Sequence, residues 1–123
     1  MILVDTSVWI RYLAGKEPFL SGLRALLRRG DVVGHELVFG ELLMGDAGGR
    51  LKLLADYPRM VHAATLAHAE VVEFVRRRRL HGRGLGWIDA HLLAAVIVEH
   101  HRLWTADPRF EAIANELGVA HAR

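Results

Sequence analysis

The chain has no cysteine among its 123 residues. That absence removes disulfide bridges, thiolate nucleophiles and cysteine-ligated zinc together, and it fits a protein kept in a reducing cytoplasm. Lysine is nearly missing too: of 16 basic residues only Lys16 and Lys52 are lysines, and the other 14 are arginines. The arginine surplus has two readings, contact with phosphates, which guanidinium matches bidentately, or a GC-rich coding sequence that favours arginine codons. No apolar run approaches a membrane span. The apolar start, Met1 to Ala14, contains Asp5 and Arg11, which break any signal-peptide core. Low-complexity segments, internal repeats and linkers are absent as well, so order is expected nearly end to end.

What is present is a globular composition, 52% hydrophobic and 24% charged, in a length that suits one domain over residues 1–123 with one real core. One site must then carry the function. Ile2 to Val4 reads as a strand ending at Asp5, followed by a helix from Ser7 to Ala14 that Gly15 closes. Phe19 to Arg29 reads as a second helix, with Arg28 and Arg29 in its last turn and Gly30 beyond. Val32 to Gly34 is a second strand, Glu36 to Met44 a helix, Gly45 to Gly49 a connection, and Leu51 to Tyr57 a helix stopped by Pro58. Met60 to Ala63 is a possible third strand and Thr65 to Arg79 a long helix, followed by the glycine-rich stretch His81 to Gly86. Ile88 to His100 is so apolar that it must be buried. Arg102 to Thr105 gives a fourth strand, Asp107 and Pro108 open a helix through Leu117, and Val119 to His121 gives a short fifth strand. The alternation predicts a parallel sheet covered by helices on both faces.

Four acids stand out. In an open parallel sheet ligands bind outside the carboxyl ends of the strands, where Asp5 and Asp107 fall. Glu41 is the one charged residue between Leu37 and Gly45, and Asp89 opens a helix whose stretch Leu92 to Val98 carries no charge. An unpaired carboxylate on such a face is costly, so a cation is expected there. Acidic oxygens without cysteine or a convincing histidine pair suit Mg²⁺ or Mn²⁺, and a carboxylate-held metal can make water nucleophilic and offset charge on a scissile phosphate. Each aspartate also has a plain structural reading as a helix cap. Capping does not explain Glu41, nor why lone acids sit on two otherwise apolar helices.

The stretches ILVDTSVWI at Ile2 to Ile10, FGELLMG at Phe39 to Gly45, GWIDAHLLA at Gly86 to Ala94 and LWTADPRF at Leu103 to Phe110 resemble, in order and spacing, the four acidic motifs of VapC-type PIN-domain toxins. The resemblance covers almost the whole chain. It implies a PIN-like three-layer α/β/α domain with a central parallel sheet of about five short strands. It also implies an endoribonuclease in which Asp5, Glu41, Asp89 and Asp107 hold Mg²⁺ or Mn²⁺, with the hydroxyls of Thr6, Ser7 or Thr105 supporting the site. A homodimer, an RNA substrate and a small cognate antitoxin follow from the same match. Trp104 is bulkier than the aliphatic residue usual before the threonine, and His91 and Pro108 sit where the family varies.

Other signals weigh less. Gly82, Gly84 and Gly86 miss the dinucleotide fingerprint and follow no strand, His35-Glu36 lacks the second histidine of a zinc-protease helix, and His100-His101 reads as an exposed helix end. Arg76, Arg77, Arg78, Arg79 and Arg83 form a basic cluster that is either a solvated helix end or an RNA-contacting ridge. Trp9, Tyr12 and Leu13 belong to the core, to a dimer surface or to a partner-helix surface. A haloacid-dehalogenase-type phosphatase needs an acid where Ser7 stands, and a receiver domain needs an early acidic pair and a late lysine that the chain lacks. An inactive RNA-binding or regulatory relative remains the non-enzymatic alternative, against which four mutually repelling acids argue.

Overall fold

The computed structural model describes residues 1–122. In chain order the elements are β1 (Ile2–Val4), α1 (Thr6–Leu13), α2 (Phe19–Arg28), β2 (Val32–Val33), α3 (Glu36–Met44) and α4 (Leu51–Asp56). A 3-10 turn (Tyr57–Arg59) precedes α5 (His68–Arg77), α6 (Trp87–Glu99), β3 (Arg102–Trp104) and α7 (Pro108–Glu116). Among the described residues the sheet has three parallel strands in the order β2-β1-β3, with Leu3 opposite Val33 on one side and Leu103 on the other.

The expected sheet of about five strands is therefore corrected to three. The two outer segments do come alongside, but each joins by a single bridge, Gly34 to His62 and Leu103 to Ala120, both parallel. Each bridge has one pair of backbone bonds: Gly34 N–H to Val61 O (2.7 Å) with Ala63 N–H to Gly34 O (2.8 Å), and Leu103 N–H to Val119 O with His121 N–H to Leu103 O (both 2.8 Å). A further rung would need the Glu36 amide to reach Ala63 O, and Glu36 already begins α3. Helix α5 is also shorter than its apolar spacing predicts, because Thr65 to Ala67 is not helical and Arg79 takes a left-handed backbone (φ 53°) that ends the last turn. Helix α4 does end before Pro58, at Asp56, and the chain continues through Pro58 as the 3-10 turn.

Successive strand residues point to opposite faces. Leu3 and Val4 are both fully buried, so both faces of β1 are covered. Val8 and Trp9 of α1, Leu23 and Leu26 of α2, Val38 and Leu42 of α3, Leu92 and Leu93 of α6 and Phe110 of α7 join the same core. Trp9, 1% exposed, is a core residue and not a surface one. Helix α6 is buried without interruption from Ala90 to Val96, as its lack of charge requires. Val71 of α5 packs with Ala90 and Ala94 of α6 in a smaller adjoining cluster. Among the described residues no helix is long and apolar enough to cross a membrane.

Strand β1 lies between β2 and β3, so the chain leaves it in one direction and later returns on its other side. That makes the carboxyl end of β1 the point where the strand order reverses, the standard crevice for a ligand in an open parallel sheet. Asp5 is the residue there.

Candidate active site

Asp5 begins α1 with its backbone, its carbonyl accepting from the Val8 amide (3.0 Å), but its carboxylate makes no capping bond. Two hydroxyls hold it instead: Ser7 Oγ and Thr105 Oγ1 each donate to Asp5 Oδ2 at 2.8 Å. Each hydroxyl is fixed by a backbone amide, Ala106 N–H donating to Ser7 Oγ (3.0 Å) and Asp107 N–H to Thr105 Oγ1 (3.1 Å). An amide that occupies a hydroxyl's lone pair leaves its proton to point elsewhere, here to the carboxylate, and such chains polarise one another. The Asp5 amide donates to Trp104 O (2.9 Å), which locks the carboxyl ends of β1 and β3 together.

Glu41 arrives on α3. That helix is started by the fully buried His35, whose Nδ1 accepts from the Leu37 amide (3.1 Å). The His35 amide in turn donates to the Tyr57 hydroxyl (2.9 Å), which ties the start of α3 to the 3-10 turn. Burial holds the His35 imidazole below its ordinary pKa, keeping the ring neutral and able to accept. Thr6 Oγ1 donates to Glu41 Oε1 at 2.7 Å, so the residue after Asp5 fixes the second acid.

Asp89 sits in the first turn of α6, where its Oδ2 accepts from the Gly86 amide (3.2 Å). Asp107 caps α7, its Oδ1 accepting from the Arg109 amide (3.0 Å). The capping reading of these two aspartates is thus borne out, but it accounts for only one oxygen in each. Among the described residues the same division holds at all four acids: Oδ2 of Asp5, Oε1 of Glu41, Oδ2 of Asp89 and Oδ1 of Asp107 accept protein hydrogen bonds, and the other oxygens accept none. None of the ion pairs among the described residues involves them.

Asp89 is close enough to the other three acids to feel their charges. Burial raises the Asp89 carboxyl from 3.8 to about 6; the Gly86 amide opposes the rise, and the charges of Asp5, Glu41 and Asp107 add to it. No group of three histidine, aspartate or glutamate side chains among the described residues is drawn together tightly enough to hold an ion as it stands. The donor set is all oxygen, with one oxygen per carboxylate free of protein bonds, which suits a hard cation such as Mg²⁺ or Mn²⁺.

The arginine cluster divides. Arg77 pairs with Glu73 (3.1 Å) and Arg83 with Glu116 (2.6 Å), while Arg78 lies over the Phe74 ring, 5.9 Å from its centroid. Arg76, Arg78 and Arg79 are exposed with no acidic partner among the described residues. Sequence reasoning missed Arg109, whose guanidinium lies against Gly84 so closely that an added Cβ would stand 3.0 Å from Nη1. Its one signal was its place two residues after Asp107. Apolar side chains flanking α1 leave a groove of about 360 Å³ lined by Tyr12, Leu13, Leu27, Leu53 and Met60 above Trp9.

The sequence profile of the family described as PIN domain matches residues 2–116. Two curated relatives, both called Ribonuclease VapC32 and from two strains of Mycobacterium tuberculosis, are each 43% identical over 123 residues, spanning 99% of this chain and 97% of the relative.

Proposed function

The chain belongs to the PIN domain family, and from that premise we propose that it is a metal-dependent endoribonuclease, the toxin of a type II toxin-antitoxin pair. The observation that carries the proposal is the division of labour at the four acids, each anchored through one oxygen while the other takes no protein bond. The names of the two relatives supply the substrate class, RNA.

On this reading Asp5, Glu41, Asp89 and Asp107 hold Mg²⁺ or Mn²⁺, with Asp5 and Asp89 the most direct ligands. When bound, such an ion supplies a water acidic enough to attack near neutral pH and a positive charge for the phosphate oxygens. The protein's own part is positioning. Ser7 and Thr105 aim Asp5, Thr6 aims Glu41, and the Gly86 and Arg109 amides aim Asp89 and Asp107. Exposed Arg76, Arg78 and Arg79 are candidates to meet the RNA backbone, whereas Arg77 and Arg83 are already engaged with carboxylates. A domain spanning residues 1–123, layered α/β/α, belongs to the same reading. So do a cytoplasmic location, a homodimer, and an antitoxin that covers the acids and the apolar surface beside Trp9 and Leu43, of which Leu43 is exposed and Trp9 is buried.

The test is induction of the chain in cells followed by mapping of new RNA 5′ ends, beside an Asp5→Ala control. Base-specific ends that vanish in the control are expected. Ends that persist with Asp5→Ala, or purified protein that cuts RNA at full rate in EDTA, would refute the proposal. Metal binding without any cleavage would favour the inactive RNA-binding alternative.

A further inference from the structure

Trp87 is out of place for a core aromatic. Trp9 and Trp104 are 1% and 2% exposed, whereas Trp87, the first residue of α6, is 42% exposed. Its ring is nonetheless held: His91 meets it edge-on at 5.2 Å between centroids and His68 lies tilted against it at 5.0 Å. A ring already fixed loses little freedom when something stacks on it. Hollows of about 240 and 270 Å³ adjoin it. The first is lined by Val72, Val75, Arg76 and His81, and the second extends past Leu85 to Gly86. Each is smaller than the roughly 300–1,000 Å³ of a drug-sized ligand pocket and on the scale of one flat ring system.

The surroundings specify the ligand. Arg76 stands in the hollow's wall and Arg78 and Arg79 follow it, exposed and without acidic partners among the described residues. A protein interface of this kind would be depleted of charge at its centre. An exposed aromatic face beside unpaired guanidinium groups is instead how proteins hold single-stranded nucleic acid, bases stacking on rings while cations track the phosphates. The second hollow ends at Gly86, whose amide donates to Asp89 Oδ2 at 3.2 Å, and Trp87 stands two residues before that acid on the same first turn of α6.

We propose that Trp87, with Arg76 and His81 beside it, is a stacking platform for an unpaired base of the RNA strand that reaches the acidic cluster. The proposal rests on the ribonuclease reading for what happens at that cluster, but base stacking itself needs no metal. RNA is thus held by a base on one side of Asp89, which selects single-stranded substrate over duplex.

The protein carries its own probe, because Trp87 is the exposed one of three tryptophans. Short single-stranded oligouridylate or oligoadenylate, titrated in EDTA so that no cleavage occurs, is expected to quench tryptophan emission and to protect it from acrylamide. Trp87→Leu keeps an apolar side chain but no ring, and it should weaken binding by about 5- to 150-fold, the range for losing one stacked base. Trp87→Phe should restore most of the affinity, which separates stacking from folding. The proposal is overturned if the Leu and Phe variants bind RNA equally well, or if RNA leaves acrylamide quenching unchanged. It is also overturned if rising protein concentration alone shields Trp87, which would assign the surface to a second copy. The acidic site is read separately by the rise in melting temperature that Mn²⁺ gives the parent. RNA that protects Trp87 in a protein deaf to Mn²⁺ and unable to cleave would support the platform while removing the ribonuclease reading.

Discussion

Replacing Asp89 by Asn tests whether this acid is held charged at a cost, by burial and by its neighbours' charges, or is a cap that costs nothing. Burial and then the charges of Asp5, Glu41 and Asp107 raise its carboxyl from 3.8 to about 6, against the pull of the Gly86 amide. An acid whose pKa is raised on folding binds more protons folded than unfolded, so stability falls as pH climbs between the two values. The shift corresponds to about 3 kcal/mol at ~1.4 kcal/mol per unit. Asp89 is half-exposed, and solvent screening brings the usable figure to about 1–2 kcal/mol. Asn accepts the Gly86 amide about as well as Asp does. Without metal, Asp89→Asn should therefore be more stable than the parent at pH 7.5. In a domain of this size the gain is roughly 3–10 °C in Tm. It should shrink as pH falls through about 6 and vanish near 3.8, where Asp89 is neutral in both states. Scanning calorimetry in EDTA at several pH values reads both. A variant less stable than the parent at pH 7.5, or an offset that does not change with pH, would refute the reasoning.

Three further outcomes are expected. Thr105→Val removes the donor to Asp5 and the acceptor of the Asp107 amide. It should cost about 1.5–3 kcal/mol in urea unfolding and lower kcat roughly 10- to 100-fold, with Thr105→Ser restoring both. Replacing Arg76, Arg78 and Arg79 together by Ala should flatten the logarithmic salt dependence of RNA binding by about 2, near 0.7 per lost phosphate contact on a single strand; an unchanged slope would return these residues to solvent. Gly22→Ala places a Cβ 2.9 Å from the Trp104 ring, which is buried and stacked on Phe19. Overpacking at about 1–3 kcal/mol should outweigh the ~1 kcal/mol that Ala gains over Gly in a helix, so Tm falls; with Trp104→Leu in the same chain, Ala should stabilise.

Parts of this architecture are legible in the residues because local rules and global packing agree. The uncharged run of α6 could only be buried, and the short β-branched run before Asp5 could only be a strand with covered faces. The outer segments around His62 and Ala120 were less legible, since strand propensity does not reveal how many consecutive amides find a partner. The start of α5 was overextended because Leu66 keeps helical spacing while the backbone before His68 does not follow it. At the site, spacing singled out the acids, and the resemblance added the hydroxyls. Which hydroxyl serves which acid was beyond reach, because Thr105 and Asp5 lie 100 positions apart and meet only through the pairing of β1 with β3. Trp87 gave no signal at all: an aromatic at the start of an apolar helix reads as core, and only the three-dimensional surface exposes it.

The bond from Thr105 to Asp5 also has a schedule. The hydroxyl that aims Asp5 is made 100 residues after it. At ~5–20 residues per second the interval is roughly 5–20 s. Throughout it Asp5 has Ser7 but neither Thr105 nor β3, and Asp107 does not yet exist. An acidic site whose parts lie 100 positions apart cannot be complete until β3 has been made and has docked beside β1.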